Sequence, residues 1–241
     1  MLKSLLKEII LTRGEKEALK GTDTLKSIAA LLLTPEQNAQ IQSQLGQDIF
    51  VLIATQLKRN GYFVEFGATD GKHLSNTFLL EKQFGWSGIV AEPSKSWGKS
   101  IFQNRECIIE TRCVWTESGK KVSFHDNINP ELSTIIGYEN SDGRNRQKTI
   151  TQEYEVETVS LNDLLREHDA PKDFDYLSID TEGTELKILR ELDLHEFKPS
   201  IITVEHNFTK DRSEIERILT SFGYKRVLAE ISRWDDWYLR T

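Results

Sequence analysis

The sequence predicts an α/β protein with a mainly parallel sheet covered by helices on both faces, and three features carry that expectation. From Gly61 onward, short apolar runs alternate with stretches of helical spacing, the rhythm of βα units joined by right-handed crossovers. The first apolar run ends in a glycine turn, "VEFGATDG". The last two runs, "YKRVLAEI" and "DDWYLR", are joined by the short "SRW" connection with no helix between them, which predicts an antiparallel hairpin on the sheet.

The elements follow in order. Residues 2 to about 33 have helical spacing, with Leu2, Leu5, Leu6, Ile9 and Ile10 on one face and Leu25, Ile28, Ala29 and Leu32 later. Gly14 and the "GTD" at Gly21 break this prelude into pieces. "TPEQNAQIQSQLGQDIFVLIATQL" reads as a helix pair, its Thr34-Pro35 start suiting a first helical turn. "YFVEFGA" is a strand and "HLSNTFLLEKQF" a helix; "SGIVAEPS" is a strand and "SKSWGKSIFQNR" a helix. "CIIETRCVW" and "KVSFHD" read as strands, and "EYEVETVS" as the strand before the helix "LNDLLREH". "DYLSID" precedes the helix "GTELKILREL", and "SIITVEHN" the helix "SEIERILTSFG". The longest polar stretch, residues 127–152, is expected to be an exposed excursion or a lid over a site.

Composition narrows the classes. At 241 residues the chain suits one large domain with a substantial core, and its apolar fraction of 38% describes an ordered globular protein. A net charge of −7 repels a phosphate backbone, so nucleic acid is not an expected partner. Lys3, Lys7 and Glu8 interrupt the first apolar stretch too early for a signal-peptide core. No run reaches the roughly 20 apolar residues of a membrane span. A soluble cytoplasmic protein is the expectation, with peripheral membrane contact through the first helix as the alternative. Cys107 and Cys113, read as lying on one strand, cannot meet as a disulfide and lack zinc-site spacing. They are expected to be buried free thiols in a reducing compartment.

Chemistry gathers at the strand ends. In "VEFGATDG", Gly67 and Gly71 permit a tight turn and close backbone approach, and the following helix N-terminus offers free N–H groups. Ser75 or Asn76 is placed to cap that helix. The spacing is G-x-x-x-G, not the G-x-G-x-x-G of dinucleotide binders. Glu65 and Asp70 make the turn acidic, which suits a ligand carrying an ammonium or sulfonium charge. Glu92 ends the second strand about 20 residues after the turn, where nucleotide-binding folds grip ribose hydroxyls with an acid. Asp180 ends "DYLSID", and Glu205-His206-Asn207 ends "SIITVEHN". Ligands of open α/β sheets bind outside the carboxyl ends of the strands, so both clusters point to the same place.

Three of these segments, "YFVEFGATDGKHLSNTFLLEKQFGWSGIVAEPS", "DYLSIDTEGTELKILREL" and "IITVEHN", together resemble the FkbM-type methyltransferases, a family using S-adenosylmethionine. The resemblance begins at about Ser43, where "SQLGQDIFV" also fits, and runs to the C-terminus. It divides the chain into an N-terminal helical extension, residues 1–42, and a methyltransferase domain, residues 43–241. It implies a Rossmann-like class I methyltransferase fold, a mainly parallel seven-stranded sheet with an antiparallel last strand. It also implies that Glu65, Gly67, Ala68 and Gly71 surround the methionine part of the cofactor, with Asp70 and Ser75 or Asn76 close by. Glu92, followed by Pro93, would hold the ribose, and Cys113 and Val114 would lie near adenine. Thr69 stands where many members have Asn, a departure the turn should survive.

Methyl transfer from a sulfonium needs an aligned acceptor and, for a hydroxyl, a group that takes its proton. His206 is a candidate base, and Asp180 or Glu182 can orient or deprotonate the acceptor. Each has a structural alternative: helix-dipole stabilisation for Glu182, a turn role for Asp180, a satisfied structural imidazole for His206. Asp180, Glu205 and Asn207 also form an oxygen set of the kind magnesium accepts. The expected function is methylation of a hydroxyl on a sugar, glycan or small metabolite, a preference that comes from the family. Rival readings are another nucleotide-dependent enzyme, such as an oxidoreductase, and a non-catalytic cofactor-binding or scaffold protein of the same fold. The N-terminal helices could cap the pocket, recruit a partner or join copies of the chain.

Overall fold

A computed structural model describes residues 21–138 and 149–241. Residues 1–20, where amphipathic spacing suggested the first helix, and residues 139–148 of the polar stretch 127–152 lie outside the described residues. The described chain opens with α1 (Gly21–Leu32), α2 (Pro35–Asn38) and α3 (Gln47–Ala54). Thr34 and Gln37 form a reciprocal capping box around Pro35, which is why the chain turns helical there. Leu25, Ile28 and Ala29 of α1 share one apolar cluster with Ile49, Phe50 and Val51 of α3 and Trp237. The part of the predicted extension that is described therefore packs on the domain.

The sheet is built from β1 (Tyr62–Phe66), β2 (Ser87–Ala91), β3 (Ile108–Glu110), β8 (Tyr176–Ile179), β9 (Ile201–Glu205), β10 (Tyr224–Val227) and β11 (Asp235–Arg240). Their order across it is β10-β11-β9-β8-β1-β2-β3. β1 pairs in parallel with β2 and β8, and β8 with β9. β11 alone runs antiparallel, between β9 and β10. The chain reverses direction of filling between β1 and β8, and that switch point opens a crevice at the strand C-termini. Helices α4 (Phe78–Phe84), α5 (Ser100–Asn104), α6 (Leu161–Glu167), α7 (Glu185–Glu191) and α8 (Arg212–Ser221) cross between strands. Apolar clusters fill both faces: Val64, Ile89, Leu177 and Ile202 on one, Phe63, Val90, Tyr176 and Ile201 on the other. Strand alternation makes this division.

Two expectations need correction. "CIIETRCVW" is not one strand. The Glu110 carboxylate accepts from the backbone N–H of Arg112, 2.7 Å, and grips its guanidinium. The chain bends there, and β4 (Cys113–Trp115) leaves the main sheet. It joins a second sheet of order β4-β7-β5-β6, with β5 (Lys121–Asn127), β6 (Thr134–Ile135) and β7 (Ile150–Ser160). Cys107 and Cys113 are both free thiols, but only Cys113 is buried as expected; Cys107 is half-buried, and the two lie on separate segments. The C-terminal hairpin is present, but β10 and β11 are joined across residues 228–234, a longer connection than "SRW".

Candidate active site

A cavity of about 250 Å³ lies over the C-terminal ends of β1, β2, β8 and β9. Its floor begins at Gly67. This glycine has φ +73, and a Cβ there would stand 2.0 Å from the backbone carbonyl oxygen of Asp180. Only a residue without a side chain lets the β1 and β8 ends approach so closely. The next turn residue in the wall, Thr69, is also left-handed, φ 51.

Glu92 lies in the wall beside this turn. Its carboxylate accepts from the backbone N–H groups of Thr69 (3.0 Å) and Ser94 (2.8 Å). Burial raises its pKa to about 8 against the pull of those two N–H groups, and the nearby Asp126 raises it further. Ala91, Pro93, Cys113, Val114, Phe124 and Ile135 give this half of the cavity an apolar lining. Leu132 and Ser133, on the connection that carries the 3-10 turn Pro130–Leu132, close over it. Thr134 Oγ1 donates to the Glu182 carbonyl, 3.4 Å, tying that connection to the β8 end. The described part of the expected lid thus borders the site.

The other half is acidic. Carboxylate oxygens of Asp180, Glu182 and Glu205 all lie within 4.8 Å of one another. Burial raises the pKa of Asp180 well above its usual value, and the charges of Glu182, Asp235 and Glu185 add to this. Glu205 is raised in the same way, by burial first and then by Asp180 and Glu182. Its Oε2 is buried without a hydrogen-bond partner. The fold supplies this crowding: β8 and β9 are neighbours in parallel register, and Glu205 faces Asp235 across the β9–β11 pair. Asp235 itself is raised to about 7 by burial while accepting from Gln47 Nε2, 2.6 Å.

Glu182 is not in the first turn of a helix. Helix α7 starts at Glu185, which is the first-turn acid and accepts from the backbone N–H groups of Thr181 and Gly183, 2.9 Å each. Glu182 stands before it at φ 60, on the cavity wall. The helix dipole therefore does not account for it, and a left-handed backbone at a non-glycine residue is a strain found at functional sites.

The remaining predicted residues separate clearly. Gly67, Asn76, Glu92, Pro93, Cys113, Val114, Asp180, Glu182, Glu205 and Asn207 line the cavity. Glu65, Ala68, Asp70, Gly71, Ser75 and His206 do not. Glu65 is buried behind the turn, accepting from Ser75 Oγ (2.8 Å), Asn76 N (2.5 Å) and Thr77 Oγ1 (2.5 Å). It also stands 3.5 Å from the guanidinium of Arg105, which donates to the Gly71 carbonyl. Ser75 Oγ accepts from Phe78 N, 3.1 Å, as a cap of the α4 entry. Asp70 accepts from the backbone N–H groups of Lys72 and His73. Gly71 has φ +82, and a Cβ there would meet Arg105 Cγ at 2.6 Å. These residues shape the turn from behind.

His206 points away from the cavity. Its Nδ1 accepts from the Phe208 N–H, 2.9 Å, and its Nε2 lies 3.7 Å from Asp236. Burial lowers its pKa. His206 is not among the residues lining the cavity, and it supports the turn that carries Asn207.

Sequence reasoning did not assign cavity roles to Gln44, Gln47, Thr69, Phe124, the Pro130–Ser133 connection or Trp234. Gln44 and Gln47 were within reach of it, because "SQLGQDIFV" belonged to the resemblance. Trp234, in a connection read as short, carried no signal.

The strand order with one antiparallel strand, the glycine turn at β1 and the acid that follows β2 are those of a class I methyltransferase fold. The Methyltransferase FkbM domain matches residues 65–226, and the chain belongs to that family: it is an S-adenosylmethionine-dependent methyltransferase. None of the curated proteins compared matches it in sequence. Similar solved structures include a precorrin-6y C5,15-methyltransferase from Geobacter metallireducens, 14% identical, TM-score 0.44, covering 79% of this chain and 75% of that one. A ribosomal protein L11 methylase from Lactobacillus delbrueckii is 12% identical, TM-score 0.43, with 81% and 77% covered. An O-methyltransferase from Bacillus cereus in complex with SAH is 14% identical, TM-score 0.40, with 99% and 97% covered. Likenesses this distant carry no argument about the reaction. Among the described residues no helix is long and apolar enough to cross a membrane.

Proposed function

We propose that the protein transfers the methyl group of S-adenosylmethionine to a hydroxyl on a sugar, glycan or other small metabolite. The observation that carries this reading is the Asp180–Glu182–Glu205 cluster, with Glu205 buried, sharing one cavity with Glu92 and the Gly67 turn. The cofactor fits the residues present. Glu92 would take the ribose hydroxyls, the Gly67–Thr69 backbone and Asn76 the methionine part, and the apolar wall at Pro93, Cys113 and Val114 the adenine. When bound, the cofactor supplies an activated methyl on a positively charged sulfur.

The chain does the rest. Asp180 in its ionised form has a raised proton affinity, from burial and neighbouring acids, which suits a base for an acceptor hydroxyl near neutral pH. Glu182 and Asn207 orient that hydroxyl. Closure by the Pro130–Ser133 connection excludes water, which strengthens each of these interactions.

Calorimetry with S-adenosylmethionine, S-adenosylhomocysteine and NAD tests this reading. Binding of the first two, weakened in Glu92→Ala, is expected. Binding of NAD alone would overturn the reading in favour of an oxidoreductase. Cofactor binding with no turnover on any hydroxyl acceptor would favour the non-catalytic rival.

A divalent cation such as magnesium is a second reading of the cluster, favoured by the mutual proximity of its oxygens and by the unpartnered Glu205 Oε2. Asp180, Glu182 and Glu205 would hold it, with the Asn207 carbonyl at the edge. Magnesium titration of the cofactor-free protein, followed by calorimetry and repeated on Glu205→Gln, checks this independently of turnover. Heat that is absent in wild type, or unchanged in the variant, would rule it out.

A further inference from the structure

The cavity has a feature that the transfer reaction alone does not require. Every charged side chain on its described lining is an acid: Glu92, Glu131, Asp180, Glu182 and Glu205. Among the described residues no Lys, Arg or His lines it. The half away from Glu92 is completed by amides and an indole, from Gln44, Gln47, Asn207 and Trp234. Gln44 Oε1 accepts from Trp234 Nε1–H, 3.1 Å, which holds the indole by its edge.

The turn after β9 adds to this. Asn207 and Phe208 are consecutive left-handed residues, φ 44 and φ 57. Phe208 is 68% exposed, next in sequence to a residue of the cavity wall. A strained backbone and an exposed phenyl ring are both unfavourable to the fold. His206 holds the arrangement through its bond to the Phe208 N–H.

We propose that Trp234 and Phe208, with Gln44 and Asn207, form an acceptor subsite for an uncharged, hydroxyl-bearing ring, and that the acidic lining rejects anionic acceptors. The inference rests on the methyltransferase reading and deepens it. A hydroxylated ring presents C–H faces that pack on aromatic surfaces and hydroxyls that pair with amides and carboxylates. A phosphate or carboxylate on the acceptor would meet carboxyl groups whose ionisation it opposes, with no cation among the described residues of the wall to offset its charge. The guanidinium of Arg233 lies 5.8 Å over the Trp234 ring and is not among the residues lining the cavity.

The test uses full-length protein saturated with S-adenosylhomocysteine, in parallel with magnesium and with chelator. Methyl glucoside, methyl galactoside, glucuronate and glucose 6-phosphate are titrated as probes, with binding read by ligand-observed NMR. The neutral glycosides are expected to bind at least about tenfold more tightly than their anionic counterparts. Phe208→Ala and Trp234→Phe should each weaken the neutral glycosides by about fivefold while leaving S-adenosylhomocysteine affinity unchanged. Phe208 is exposed, so its truncation spares the core. Equal or tighter binding of the anionic probes, no binding of either neutral glycoside, or indifference to both substitutions would overturn the subsite. Failure of S-adenosylhomocysteine itself to bind would instead overturn the methyltransferase reading.

Discussion

Replacing Glu92 by Gln should make the cofactor-free protein more stable as pH rises, relative to wild type, while damaging cofactor binding. The carboxyl has a folded pKa of about 8 against an ordinary 4.5, because burial penalises its charged form. Below pH 4.5 the group is neutral folded and unfolded, so it has no effect. Between the two values the unfolded state loses the proton and the folded state keeps it. Wild-type stability therefore falls by about 1.4 kcal/mol per pH unit across that window and levels off above pH 8. At pH 7 the accumulated penalty is about 3 kcal/mol. Glutamine removes the titration but keeps only one oxygen for the two N–H groups of Thr69 and Ser94, a loss of about 1–3 kcal/mol that is independent of pH. The slope is thus the clean readout. For a chain of this size 1 kcal/mol shifts Tm by about 2–4 °C, so the Tm difference, variant minus wild type, should grow by about 3–6 °C per pH unit. Thermal unfolding without cofactor from about pH 5.5 to 8 measures it. A difference that is flat, or that shrinks as pH rises, would refute the claim that the ribose-site acid is held neutral by burial. The same variant should bind S-adenosylmethionine about 10–100-fold more weakly, through loss of a carboxyl oxygen that accepts hydrogen bonds.

Asp180→Asn should lower kcat by about 10²–10⁴ with little change in S-adenosylhomocysteine affinity, as expected for loss of a general base; kinetics at saturating cofactor paired with calorimetry distinguishes this from a binding defect. Asp180 and Glu205 are raised by burial and by neighbouring acids, so they ionise as pH rises and then favour the positive sulfur. The preference for S-adenosylmethionine over S-adenosylhomocysteine should accordingly increase as pH rises, and calorimetry of both ligands at a series of pH values checks the sign. Arg105→Met should destabilise the fold by about 3–5 kcal/mol, since it leaves Glu65 and Glu81 buried without their guanidinium; denaturant unfolding at neutral pH gives the number, and a loss under 1 kcal/mol would contradict the hub role.

The strands, the glycine turn and the C-terminal hairpin were legible in the sequence because they are local. The short apolar runs that hold Val64, Ile89, Leu177 and Ile202 stand out whatever surrounds them, and Gly67 marks a turn by its own conformational freedom. Glu92 and Asp180 could be assigned to a site because in a parallel sheet the strand end fixes where a residue lies. Which way a side chain turns once there is a matter of long-range packing. Glu65 and His206 also lie at strand ends, yet Arg105 and the residues 75–77 claim the first, and Phe208 N–H and Asp236 the second. The break at Arg112, which sends β4 into another sheet, depends on how Glu110 closes around it. Glu205 belongs with Asp180 because β8 and β9 run side by side. Trp234 and Gln44, 190 residues apart in the chain, meet through a single hydrogen bond. Periodicity reports which face of an element is buried, whereas a shared wall between distant loops comes from the closure of the whole fold.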